Sequence, residues 1–233
     1  MIEPYLVAAS SYAKDIDFVF DMIFWVVIAF RFVLTEAVFF WLLFRFRKKE
    51  GVPAQYITGE LKSEKRWITI PHFAVLVFDV LILFFAVKVW YQVKQNIPDE
   101  PEKHFVRVIA QQWAWTFVDP GPDGKLDTPD DIAKVNEMHA VVDTIHHFQL
   151  ESKDVIHSFS VPVFRLKQDV IPGRVITGWF TPTMTGSYDI QCTEICGIGH
   201  ALMPAKIVIE TADQRAAWVA QNSSVAVAAA TLP

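Results

Sequence analysis

The chain has 233 residues, 52% hydrophobic and 20% charged, with a formal net charge of −5. That is too apolar for an ordinary soluble domain and too charged for a bundle wholly in lipid, so a chain divided between membrane and water fits best. The acidic balance, with no basic patch outside one short loop, excludes nucleic acid as a partner. An acidic water-exposed part would attract a basic partner instead. The two cysteines, Cys192 and Cys196, lie close together, which excludes a scattered disulfide framework.

The first apolar run extends from Met22 to Phe44 and the second from Ile68 to Tyr91. Each meets the roughly 20 helical residues that a bilayer core requires. Trp25, Trp41, Trp67 and Trp90 sit near the ends, as an interfacial belt would. No basic start with a small-residue cleavage site precedes the first run, so a cleavable signal peptide is not expected. The connecting loop carries Arg45, Arg47, Lys48, Lys49, Lys62, Lys65 and Arg66. Such a loop stays on the cytoplasmic or matrix side, which puts both termini on the periplasmic or intermembrane side, in contact with membrane lipid only through the hairpin. Arg31, Glu36, His72 and Asp79 lie within the spans. Ionisable groups at that depth face protein, and Arg31 and Asp79, at similar depths, are expected to pair or to face a partner subunit.

Beyond residue 95 the pattern changes to short β-rich runs: Phe105 to Val118, Ala140 to Leu150, Asp154 to Val161, Arg174 to Thr181, Ser187 to Cys192 and Ala205 to Glu210. Turn-forming Gly, Pro and Asp clusters separate them, which predicts an all-β sandwich or barrel. Thr211 and Gln214 form a capping box that opens a short C-terminal helix. The expected organisation is an N-terminal segment and α-helical membrane hairpin over 1–95, with helices at about 19–46 and 66–93. An extracytoplasmic β-domain follows over 96–222, then a flexible tail over 223–233.

Between Cys192 and Met203 the sequence packs two thiols, an imidazole and a thioether. Soft sulfur donors with imidazole select copper over hard ions, and zinc rarely takes methionine. A mononuclear blue-copper site needs one Cys, two His and a weak Met. The second cysteine allows two thiolates to bridge two ions, each then needing one His and one weaker ligand. His157 is the best candidate for the second imidazole. Met203 and the backbone carbonyl of Glu194 complete the set.

At this point a resemblance becomes specific. His157 and the Cys192-x-Glu194-x-Cys196-Gly-x-x-His200-x-x-Met203-Pro204 loop are its centre. Ser-Lys-Asp-Val-Ile-His-Ser-Phe at 152–159, Lys167-Gln-Asp-Val-Ile-Pro-Gly-Arg174, Gln112-Trp-Ala-Trp115 and Glu64-x-x-Trp67-x-x-x-Pro71 extend it. Together they resemble the cytochrome c oxidase subunit II family across the hairpin and the β-domain. The resemblance implies a cupredoxin-like domain with a dinuclear copper centre (CuA) held by His157, Cys192, Cys196, His200, Met203 and the Glu194 carbonyl. It implies that the Glu194 carboxylate ligates Mg²⁺ or Mn²⁺ at the boundary with oxidase subunit I, and that Trp113 receives electrons from cytochrome c. It places Glu64 at the mouth of a proton channel. It further implies assembly with the haem-bearing subunit I and other oxidase subunits in an oxygen-reducing, proton-pumping enzyme. Ala114 departs from the family pattern, which has an aromatic between the two tryptophans. Quinol oxidase subunits of similar fold lack the copper ligands, and a lone membrane cupredoxin would not need the ionisable hairpin.

One segment lies outside the resemblance. Asp119, Asp123, Asp127 and Asp131 surround a Gly-Pro-rich turn. They could bind Ca²⁺ through hard oxygen donors, form an acidic hairpin loop, or supply negative charge for docking a basic cytochrome.

Overall fold

The computed structural model describes residues 7–54, 56–99 and 104–223. The chain divides into two compact units, residues 15–92 and the remainder.

The first unit is a helical hairpin. Helix α1 (Ala13–Arg45) and helix α2 (Lys62–Gln95) are both long and apolar enough to cross a membrane. Their apolar side chains are almost all uncovered by the rest of the chain, as spanning helices in lipid or against another subunit require. α1 begins ahead of its hydropathic core, and α2 runs beyond its core at both ends. α1 begins at Ala13, with Asp15 in its first turn and Asp17 and Asp21 beyond it, a polar stretch that hydropathy alone reads as loop. Trp41 stacks on Trp67 with ring centroids 5.8 Å apart, and Phe30 meets Phe78, so aromatic packing joins the two helices. For Arg31 the structure overturns the pairing with Asp79, one of the two arrangements expected. Its side chain donates to the Val75 carbonyl at 3.2 Å and lies over the Phe78 ring at 4.8 Å instead.

The second unit is a sandwich of two five-stranded sheets. One has the order β3 (Ile132–Val135), β2 (Ala114–Asp119), β1 (His104–Gln111), β5 (His146–Ser152), β8 (Ile176–Phe180). The other has the order β4 (Glu137–Val141), β10 (Ala205–Glu210), β9 (Gly186–Cys192), β6 (His157–Val161), β7 (Leu166–Val170). Strands expected as single runs are divided. Phe105 to Val118 is a hairpin that turns at Gln112 and Trp113, and Ala140 to Leu150 contributes to β4 and β5 in opposite sheets. β3 and β7 add to the expected set. Inward-facing Trp115, Phe117, Phe148, Leu150, Phe159, Phe180, Ile190 and Ile207 are fully buried between the sheets. They follow the period-2 alternation that puts every second residue on one face.

The amino-terminal segment belongs to this domain. Ala9 N–H donates to Val163, Thr183 N–H donates to Ala9, and Ser10 Oγ donates to the Phe164 carbonyl, with Ser10 bridged to Pro182. Ala9, Ser10, Tyr12 and Ala13 are all buried, and the Tyr12 ring meets Trp179 edge-on.

Alternation along β2 also sends Asp119 inward, on the same face as Trp115 and Phe117. Burial pushes its carboxyl above the usual range, opposed by Arg215 of helix α3 (Ala212–Asn222), which donates to it at 2.6 Å. The Thr211–Gln214 capping box is formed at the start of that helix. Of the tail expected over 223–233, Ser223 is buried and donates its N–H to the Val219 carbonyl at the end of that helix, and 224–233 lie outside the described residues. Removing one partner of a buried ion pair leaves the other charge uncompensated. Arg215→Met is therefore expected to lower the stability of the β-domain by about 3 kcal/mol or more, and a second change, Asp119→Leu, to recover most of that loss. Urea unfolding of the detergent-solubilised chain reads both effects, and a loss near zero for Arg215→Met would show that the pair does not hold α3.

Candidate metal centre

Two strands bring the donors together. His157 opens β6 and Cys192 closes β9. These strands are antiparallel neighbours with Phe159 opposite Cys192, and Thr193 N–H donates to the Ser158 carbonyl just past the pairing. The register places His157 Nδ1 3.9 Å from Cys192 Sγ. The loop after β9 then folds back. Cys196 Sγ lies 3.8 Å from Cys192 Sγ, 3.5 Å from His200 Nδ1 and 3.9 Å from Met203 Sδ. The Glu194 carbonyl is 3.4 Å from Cys192 Sγ. A single 3-10 turn, His200–Leu202, aims His200 inward, closed by His200 N–H to Gly197 and Leu202 N–H to Gly199. Trp115 Nε1 donates to the Met203 carbonyl at 3.2 Å, fixing the end of the loop from the core. All six sequence-derived copper donors therefore converge.

The donor set fits copper. Both cysteines are free thiols, and 3.8 Å is far beyond the 2.05 Å of a disulfide. Two metal–thiolate bonds of about 2.3 Å can span up to about 4.6 Å, so both sulfurs can reach one ion. Cys196, Met203 and His157 are buried. Burial pushes the Cys196 thiol up to about 11, and the adjacent Cys192 adds to the rise. A bound cation would reverse that preference by stabilising the thiolates.

Asp154 and Gln112 are parts of this arrangement that the sequence did not single out as such. Asp154 Oδ1 accepts from His157 Nε2 at 2.9 Å. A carboxylate only accepts, so the Nε2 proton is fixed there and Nδ1 keeps its lone pair towards the sulfurs. Burial works to raise the Asp154 carboxyl, but His157 and the N–H groups of Gln112 and Val155 hold it below the usual carboxylate range. An Asp three residues before a ligand His was the available signal. Trp113 is 40% exposed and presses on the loop from outside. A Cβ on Gly199 would fall 2.4 Å from its ring, so the indole is in direct contact with the loop backbone.

Other expected site residues stand elsewhere. Glu194 projects an exposed carboxylate. Glu64 accepts from Gly59 N–H at 2.9 Å and Leu61 N–H at 3.4 Å, closing the amino end of α2 as a cap. The four aspartates considered for calcium do not meet. Asp119 is held by Arg215, Asp127 by Arg107 at 2.7 and 2.9 Å, Asp131 by the Asp127 N–H and Asp123 by the Lys125 N–H. Among the described residues the group with metal-ligand geometry is His157, Cys192 and Cys196.

A two-sheet sandwich with His from one strand and Cys, His and Met from a single loop defines a cupredoxin-like copper domain, here preceded by two spanning helices. Residues 126–212 match the family described as cytochrome c oxidase subunit II, periplasmic domain. The alternative cytochrome c oxidase subunit 2 of Bradyrhizobium diazoefficiens is 33% identical over 235 residues, covering 91% of this chain and 81% of that one. Cytochrome c oxidase subunit 2 of Cereibacter sphaeroides is 28% identical, covering 92% and 78%. The crystal structure of the periplasmic domain of subunit II from Bradyrhizobium japonicum is 28% identical, covers 55% of this chain and 96% of that one, and has a TM-score of 0.48. The chain belongs to the cytochrome c oxidase subunit II family, and so to a membrane-anchored part of an oxidoreductase.

The supporting carboxylate makes a prediction. Groups that orient a ligand typically control metal affinity by 10-fold or more. Asp154→Ala is expected to weaken copper binding by about that factor, measured by competition with a chelator. Unchanged affinity would show that His157 is oriented without it.

Proposed function

We propose that this chain accepts single electrons from cytochrome c at a dinuclear copper centre and passes them to haem in subunit I, where oxygen is reduced to water with proton pumping. The observation that carries the reading is the convergence of His157, Cys192, Cys196, His200, Met203 and the Glu194 carbonyl within 3.9 Å steps. When bound, copper would be held by His157, Cys192, Cys196, His200, Met203 and the Glu194 carbonyl and would supply one-electron redox chemistry there. The chain's own residues fix the ligand positions and keep water away. Two strands, a 3-10 turn and the Trp115 bond to Met203 hold the donors nearly still, which lowers the rearrangement that electron arrival would demand. Trp113, exposed on one side and touching the loop on the other, provides the surface contact through which electrons arrive.

Exposed apolar residues of the same loop fit a partner subunit. Ile195, Ile198 and Leu202 flank His200, and all three are strongly exposed. An apolar rim of that kind favours a protein interface. Glu194 projects its free carboxylate from the same loop, in keeping with a Mg²⁺ or Mn²⁺ shared with subunit I. The docked amino-terminal segment supports the expected orientation. Residues 9–13 pack into the β-domain and lead directly into α1, while the domain itself follows α2. Two crossings between them return the chain to the side where it began, and the basic loop marks the opposite side as cytoplasmic. In the 119–131 loop the aspartates are occupied by Arg107, Arg215 and backbone N–H groups, which favours an acidic structural loop over calcium.

Two substitutions test the centre. Cys196→Ser is expected to abolish the mixed-valence electron spin resonance signal of the purified complex; a surviving signal would refute thiolate bridging. Trp113→Phe is expected to leave copper bound and the complex assembled while slowing reduction by cytochrome c in stopped-flow measurements. Normal reduction kinetics would rule out the indole as the electron contact.

A further inference from the structure

Gln112, immediately before Trp113, is engaged twice. Its side-chain Nε2 donates to the Cys196 carbonyl at 2.7 Å. Its backbone N–H donates to Asp154 Oδ2 at 2.6 Å, and the other oxygen of Asp154 accepts from His157 Nε2. Three hydrogen bonds thus connect a ligand on the loop, Cys196, to a ligand on β6, His157, through one residue of the β1–β2 turn. The loop is cut back to accommodate this contact. Gly197 has φ +126°, and a Cβ there would come within 2.9 Å of Gln112 Nε2 and 3.3 Å of the Trp113 ring. Gly199 is the second such position, against Trp113 itself. Glycine on both sides of Ile198 lets residues 112 and 113 lie against the loop backbone.

We propose that Gln112 is a positioning residue for electron transfer. Its side-chain amide latches the copper loop to the turn that carries Trp113, so the indole and the Cys196 ligand are held in one fixed relation. The proposal rests on the reading of the loop as a dinuclear copper centre. The amide is suited to the task because it donates to a carbonyl. Methionine at this position keeps the length of the side chain without a donor, and glutamate keeps its shape but turns an acceptor on an acceptor. Without the bond the Cys196 carbonyl loses its partner at a buried residue, and the loop opens more readily.

The test uses the assembled, detergent-purified oxidase complex carrying the wild-type chain, Gln112→Met or Gln112→Glu. Release of copper to a chelator is expected to be about five- to ten-fold faster in both variants. The copper hyperfine pattern and the reduction potential are expected to shift. With cytochrome c as donor, kcat is expected to fall while KM stays near the wild-type value. A side chain that merely contacts the donor would raise KM and leave copper release, hyperfine pattern and potential untouched, and that result would overturn the proposal. Should Gln112→Met fail to assemble, the isosteric Gln112→Glu decides the matter by the same readouts. A wild-type complex without a mixed-valence copper signal would refute the centre itself. A wild-type signal that both variants reproduce unchanged would refute only the latch.

Discussion

The metal centre depends on where two strands end. His157 is the first residue of β6 and Cys192 the last of β9, and their antiparallel pairing sets Phe159 opposite Cys192. A slip of one residue would turn His157 to the other face and part the imidazole from the sulfur. The register is therefore held hard. Phe159 is fully buried among Trp115, Phe117 and Phe148, so the ring that locks the two sheets together also locks the ligands. Core packing and site geometry are here the same constraint.

Much of this was legible beforehand because sulfur and imidazole donors are chemically distinctive and five of the six lie in one short loop. The supporting contacts were not, because they are made through space by residues of ordinary type. Gln112 is distant from Cys196 in sequence, and nothing about a glutamine before a tryptophan announces a bond to a loop carbonyl. Asp154 was legible as a charge near the site but not as the group that fixes the His157 proton. Asp119 shows a different failure. It was grouped with its acidic neighbours, although alternation from Trp115 and Phe117 already pointed it into the core, where Arg215 meets it.

The helices were located by hydropathy and extended by the structure. Apolar windows find the part of a helix inside lipid and stop at the first charges, so the polar opening turn of α1 and the last turn of α2 escaped. Depth in the membrane is likewise readable while rotation about the helix axis is not. Arg31 and Asp79 share a depth, yet Arg31 meets the Val75 carbonyl and the Phe78 ring. β3 and β7 escaped because they are short and partly polar, and strand pairing rather than sequence alternation defines them.

The docked amino terminus bears on how the chain is made. Ser10 bonds to a carbonyl 154 residues further along, and the segment around it also meets Val163 and Thr181 to Thr183. Residues 9–13 therefore cannot complete these contacts until the chain through β8 and Thr183 has been made. Their docking closes a loop of chain that contains both membrane helices. A defect anywhere in β8 or in the turn before β7 would thus leave residues 9–13 undocked, and damage there would be felt at the entry to α1.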